Sequence, residues 1–297
     1  MPESPRAAVL PLSGGSDAAT VRLQPLLTGE VLAPPQLLER APGPLAPLLG
    51  AGVGVRRRNR MWIPAPAFLV EHPTGGAILV DTGLHPDAPV RPRAVMGPLA
   101  HVMYGFRVAP EQRLPEQIAQ RGVDPASLRA IVMTHLHADH ASGLPALPAS
   151  TVLVDDREWR AATGLGAFGR GYSRLHVGGL HDWRTIDASG PAGHAPFAHG
   201  VDLFGDGSVR LLDTPGHTPG HLSVLLRLRE RAALLTADAA YTWGTIRRGA
   251  MPGIVADGDA FRRSLKQIQA FVAEHPGALV VPGHDAEAWR SLEAVYE

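Results

Sequence analysis

Four side chains of the metal-ligating kind fall within six residues in Thr134-His135-Leu136-His137-Ala138-Asp139-His140. Imidazole nitrogen and carboxylate oxygen both bind divalent transition cations. The apolar run AIVMT (130–134) just ahead of them reads as a buried strand. On a strand, side chains repeat with a period of two, so His135 and His137 face the same way. If the chain then turns into a helix, Asp139 and His140 project from another direction. One pair can hold one ion while the other pair holds a second. That is the layout of a two-metal hydrolytic site, with ions ~3.5–4 Å apart. A solvated loop of histidines is the bland alternative, and the spacing behind VMT argues against it.

Three further donors follow predicted strands, where open sheets gather ligands at one edge. LLDTPGHTPGH places His217 in a Gly/Pro turn past the strand ending at Asp213. LLTADAAY places Asp238 at a strand end, and VVPGHD places His284 past the last strand. Each alone is weak, because a histidine after glycine is commonly a turn residue. Together, and in this order, they complete two ligand sets. His221 competes with His217; His217 is preferred because its PGH turn recurs at His284.

Composition narrows the rest. The 297 residues contain no cysteine, which excludes disulfides, a thiol nucleophile and thiolate metal ligands. Fourteen histidines leave imidazole and carboxylate to build any metal site. Twenty-eight basic residues balance 28 acidic ones, so no nucleic-acid partner is expected. Prolines 2, 5 and 11 interrupt the N-terminus, which does not read as a signal peptide. No stretch approaches the ~20 apolar residues of a membrane span. A cytoplasmic protein without a membrane partner is expected.

The elements that must position these side chains form an α/β pattern. Strands are expected at 21–32, 67–72, 77–81, 130–134, 151–155, 208–213, 222–228, 232–238 and 278–281. A helix is expected over 258–277, with Phe261, Leu265, Ile268 and Val272 on one face and Asp259 as its cap. A short helix should follow Asp156, and a terminal helix should cover 287–296. Two runs of strands interleaved with helices suggest two sheets packed together with helices outside. Residues 1–20 read as a loose tail and 21–297 as a single domain. The segments 84–115 and 163–200 read as insertions.

The order HxHxDH, then His, Asp and His, resembles the metallo-β-lactamase superfamily. The resemblance runs from about residue 65 to the end and includes ILVDTG (78–83). It implies an αββα sandwich of two mixed β-sheets with two metal ions at one edge. His135, His137 and His217 would bind the first ion. Asp139, His140 and His284 would bind the second, and Asp238 would bridge them. The ions would be zinc, with iron, cobalt or manganese as alternatives. Asp81 resembles the aspartate that orients ligand rings, though a strand-end turn is an equal reading.

Within that superfamily TPGHTPGH (214–221), DAAYT (238–242) and VPGHD (281–285) resemble the N-acyl-homoserine lactonase branch, the quorum-quenching lactonases. The resemblance implies ring opening of a lactone by a hydroxide bridging two cations. Tyr241 would donate to the carbonyl oxygen, and Asp139 would act as general acid. Met96, Met103, Tyr104, Phe106 and Phe168 are candidates for an acyl pocket, with Trp183 a further contributor. A homodimer is expected, in keeping with the branch. The rivals are a hydrolase of another lactone, ester or phosphoester on the same site, and a metal-binding module without catalysis. A glutathione thioesterase would need a further domain beyond His284, for which few residues remain. An exported β-lactamase would usually lack the bridging aspartate.

Overall fold

The computed structural model describes residues 4–297. Among the described residues, fourteen strands form two mixed sheets. The first sheet has the order β1 (Arg6–Ala7), β8 (Asp182–Ile186), β7 (Thr151–Asp155), β6 (Ala130–Val132), β4 (Gly76–Val80), β3 (Met61–His72), β2 (Arg22–Ala33), β5 (Gly105–Arg107). The second has the order β14 (Leu279–Pro282), β13 (Ala232–Ala237), β12 (Leu222–Arg227), β11 (Val209–Asp213), β10 (Phe197–Asp202), β9 (Pro191–His194).

The central strands are apolar almost throughout because both of their faces are covered. Ile78, Val80 and Leu153 face Leu211, Val224, Leu226 and Val281 of the opposite sheet. Their neighbours Leu79, Val152 and Val154 point outward, onto Leu114, Ile118 and Trp159 of the flanking helices. On the second sheet Leu212, Leu225 and Leu234 turn outward onto Phe261, Leu265, Ile268 and Phe271. The alternation of side chains across each strand thus produces four layers: helices, sheet, sheet, helices.

The long amphipathic helix spans Gly258–Glu274. Its cap is Asp257, two residues ahead of the expected Asp259: the Asp257 carboxylate accepts from the N–H groups of Asp259 and Ala260. Two other expectations are corrected, the loose N-terminal residues and the extent of the terminal helix. Residues 6–12 are not loose. β1 pairs in parallel with β8, Leu12 N–H bonds to Leu203 O, and Ala8, Leu10 and Leu12 pack on the inter-sheet core. The segment 163–200 supplies β8, β9 and the start of β10; its glycine and histidine content masks the short strands. The segment 84–115 supplies edge strand β5, paired with β2, and the short helices Pro92–Val95 and Pro98–Met103. The terminal helix stops at Arg290, because the chain turns back so that Tyr296 can pair with Leu23 of β2.

Within each sheet the strands that precede the candidate ligands share one direction. β4 and β6 are parallel. β13 and β14 are parallel, and β11 and β13 are each antiparallel to β12. The donors that follow their C-terminal ends come together at one edge of the sandwich. Phe261 is fully buried between the long helix and the second sheet. Phe261→Ala should cost about 3–5 kcal/mol of stability, read as a lowered midpoint in chemical denaturation.

Candidate metal centre

The loop after β6 carries the HxHxDH residues. Its strand ends at Val132, so His135 and His137 leave from an extended loop and not from the strand itself. The short helix Ala138–Ala141 then turns Asp139 and His140 in from another side. His217 and His221 stand on the turn between β11 and β12, Asp238 just past β13, and His284 just past β14.

These residues converge. One donor atom each of His135, His137 and His217 lie within 4.8 Å of one another. The same holds for His135, His140 and Asp238, and for Asp139, His140 and His284. Asp238 stands at the centre: its Oδ2 lies 3.2 Å from His217 Nε2 and 3.7 Å from His135 Nε2, and its Oδ1 lies 3.1 Å from His284 Nε2 and 3.3 Å from His140 Nε2. Asp139 Oδ2 lies 3.6 Å from His284 Nε2.

Outer contacts fix the rings. His140 Nδ1 is 2.8 Å from Asp81 Oδ2 and donates to it. His284 Nδ1 donates to Pro64 O at 2.9 Å. His137 Nε2 donates to Arg170 O at 3.0 Å, which turns its Nδ1 inward, 2.8 Å from His217 Nε2. A ring whose outer N–H is committed in this way presents a lone pair to the centre. Asp81 also accepts from the N–H and the hydroxyl of Thr134, so it is both a strand-end turn and an anchor for His140. It holds a left-handed φ of 56°, and Ala237, beside Asp238, one of 42°. Strained backbone of this kind concentrates at functional sites. Gly283 lets the last turn approach Asp238, since a Cβ there would lie 2.8 Å from Asp238 Oδ1.

His221 is settled by its partners. Its Nδ1 meets Thr214 Oγ1 at 3.0 Å and its Nε2 accepts the N–H of Asp238 at 3.0 Å. Both nitrogens are occupied, so it holds the Asp238 backbone and has no donor to spare. Burial lowers its pKa to about 3 and keeps it neutral for that role.

Electrostatics are set by burial among like groups. Desolvation drives the His135 and His217 pKa values well below normal. Desolvation is the largest single influence on His140 and His284 as well, but two carboxylates together overcome it and raise both, Asp238 with Asp81 for His140 and Asp238 with Asp139 for His284. For Asp238 the surrounding imidazoles overcome burial and hold its pKa far down. Meanwhile His135 Nε2, His140 Nε2 and Asp238 Oδ1 are buried without a hydrogen-bond partner. Orphaned acceptors aimed at common points, all of nitrogen and oxygen, fit divalent cations.

Tyr241 lies beside this cluster, its hydroxyl 3.2 Å from His217 Nδ1. Burial raises its pKa well above normal, so it remains a donor. A cavity of about 410 Å³ opens onto the cluster. Met96, Met103, Tyr104, Phe106 and Phe168 all line it, alongside His137, Asp139, His217, Asp238, Tyr241 and His284. Leu37, Leu48 and Ile254 also line it; they come from proline-rich or loop segments whose sequence carries no periodic signal. Trp183 does not take part. It is buried in β8, its ring 4.9 Å from that of Trp159, between the first sheet and its helices.

The model of the metallo-beta-lactamase superfamily matches residues 60–291. The chain belongs to the metallo-beta-lactamase superfamily. The four layers are the αββα sandwich of that fold, and divalent metal ions go with it. The chain is 34% identical over 235 residues to the N-acyl homoserine lactonase AttM of Azorhizobium caulinodans, covering 78% of this chain and 85% of that protein. It is 28% identical over 236 residues to an N-acyl homoserine lactonase of a Bacillus species, covering 79% and 86%. A solved N-acyl homoserine lactone hydrolase, with the product N-hexanoyl-L-homoserine at its catalytic metal centre, superposes with a TM-score of 0.73 at 24% identity, covering 93% of this chain and 98% of that one.

Removing the Asp81 carboxylate leaves the Thr134 N–H, the Thr134 hydroxyl and His140 Nδ1 without their acceptor. Asp81→Ala should therefore lower stability by about 3 kcal/mol or more, measured by denaturant unfolding.

Proposed function

We propose that this protein is a metal-dependent hydrolase that opens the lactone ring of N-acyl homoserine lactones, a quorum-quenching activity. The observation that carries the reading is the union of the His/Asp cluster with an apolar cavity in a chain 34% identical to a named lactonase. His135, His137 and His217 would hold one divalent ion, Asp139, His140 and His284 a second, and Asp238 both. We read the ions as zinc, with the same donors open to iron, cobalt or manganese. When bound, such a pair makes water nucleophilic near neutral pH and draws charge from a carbonyl.

The chain's own residues do the rest. The apolar wall of Met96, Met103, Phe106 and Phe168 takes the acyl chain and leaves the lactone ring at the cluster. The Tyr241 phenol donates a hydrogen bond to the carbonyl oxygen, where negative charge develops. One donor of that kind is worth roughly 2.7–4 kcal/mol. Asp139 faces the cavity and can take a proton from the attacking water and pass it to the ring oxygen as its bond to the carbonyl carbon breaks. The net change consumes one water and gives an N-acyl homoserine carboxylate and a proton.

Metal-loaded protein should release one proton per lactone opened, followed by pH titration across short and long acyl chains. Release from phosphoesters or simple esters but from none of the lactones would overturn the substrate assignment. Tyr241→Phe should keep its metal and lose roughly 10²-fold in kcat. His137→Ala should lose metal, by elemental analysis, as well as activity.

A further inference from the structure

Glu158 takes no part in the chemistry above, yet it is fully buried on the first turn of the helix Asp156–Thr163. A carboxylate withdrawn from water needs its lone pairs satisfied. Each oxygen accepts a backbone N–H. Oε1 accepts the N–H of Leu136 at 3.0 Å, and Oε2 accepts the N–H of Gly220 at 3.2 Å. Leu136 stands between His135 and His137. Gly220 stands between His217 and His221. The first loop leaves the first sheet and the second belongs to the other sheet. One carboxylate therefore spans the seam and fastens both loops that bring His135, His137 and His217 together.

The approach is close enough to require glycine. A Cβ on Gly220 would lie 2.4 Å from the backbone nitrogen of Glu158 and 2.8 Å from Asp155 Oδ1. The neighbouring Arg157 supplies a separate tie from the same helix start. Its guanidinium bonds to Asp155 at 2.9 Å and to Asp213 of β11 at 2.7 Å. The helix start is thus joined to the second sheet twice, but only the Glu158 tie runs directly into the ligand loops.

We propose that Glu158 is a positioning residue: by holding the Leu136 and Gly220 amides it sets the spacing of the two loops, and so the affinity of the three-histidine half of the site for a divalent cation. The proposal rests on the ligand assignment given above. Loss of a group that orients metal ligands typically weakens binding ~10–100-fold.

Cobalt(II) titration tests it. Metal-stripped parent, Glu158→Gln and Arg157→Ala proteins are titrated against a competing chelator, with the cobalt absorption bands as a second readout. Glutamine keeps the size of Glu158 but turns an NH2 group toward one of the two amides. The parent should take two equivalents. In Glu158→Gln one of the two should weaken ~10–100-fold with altered bands, while the other stays as in the parent. Arg157→Ala should bind both equivalents as the parent does, even with a lower Tm. Two parent-like equivalents in Glu158→Gln, or equal weakening in Glu158→Gln and Arg157→Ala, would overturn the proposal. If Glu158→Gln does not fold, Glu158→Asp carries the test: its shorter side chain cannot reach both amides, and parent-like cobalt binding by it would be equally fatal. A parent that takes up no cobalt would instead overturn the ligand assignment, and this inference with it.

Discussion

Five imidazoles and two carboxylates are crowded into one edge of the sandwich, most of them out of reach of water. That crowding is the constraint from which the rest follows. Burial opposes charge on His135, His140, His217 and His284, and neighbouring rings oppose it further. Asp238 alone cannot satisfy them, because its two oxygens face four ring nitrogens and one of those oxygens is itself orphaned. Buried lone pairs without partners are costly unless a cation collects them. The cluster is a poor way to build a core and a good way to hold divalent ions.

Delivering those groups to one place requires two sheets, not one. Within each sheet the strands ahead of these donors run in one direction, and the donors that follow them meet along the seam. Small deviations then complete the fit. Asp81 and Ala237 accept left-handed backbone next to the donors they serve, and Gly283 admits the last turn against Asp238. The cluster's rings and loops are held from outside, by Asp81, by the carbonyls of Pro64 and Arg170, and by the backbone contacts of His221 and Glu158.

Much of this was legible in the residues. The HxHxDH spacing and the later His, Asp and His turns named the donors that the fold brings together. The apolar strands and the Phe261–Leu265–Ile268 face announced the layers. What escaped has physical causes. β1 is two residues long and β8 to β10 are rich in polar and glycine residues, so neither gives a periodic signal. Trp183 looked available for a ligand because aromatic character says nothing about which face of a strand is covered. Glu158 in DDREW reads as an ordinary first-turn acid, and only its burial between two loops distinguishes it. The preference for His217 over His221 came from the repeated PGH turn; the contacts of His221 with Thr214 and Asp238 supply the physical reason.

The central claim is that this edge holds two divalent cations on seven side chains. The most direct test is an anomalous difference map from a crystal of metal-replete protein, collected at the absorption edge of the bound metal. The account predicts two peaks about 3.5–4 Å apart, one among His135, His137 and His217, the other among Asp139, His140 and His284, with Asp238 between them. A single peak away from Asp238, or none in protein shown by elemental analysis to carry metal, would contradict it.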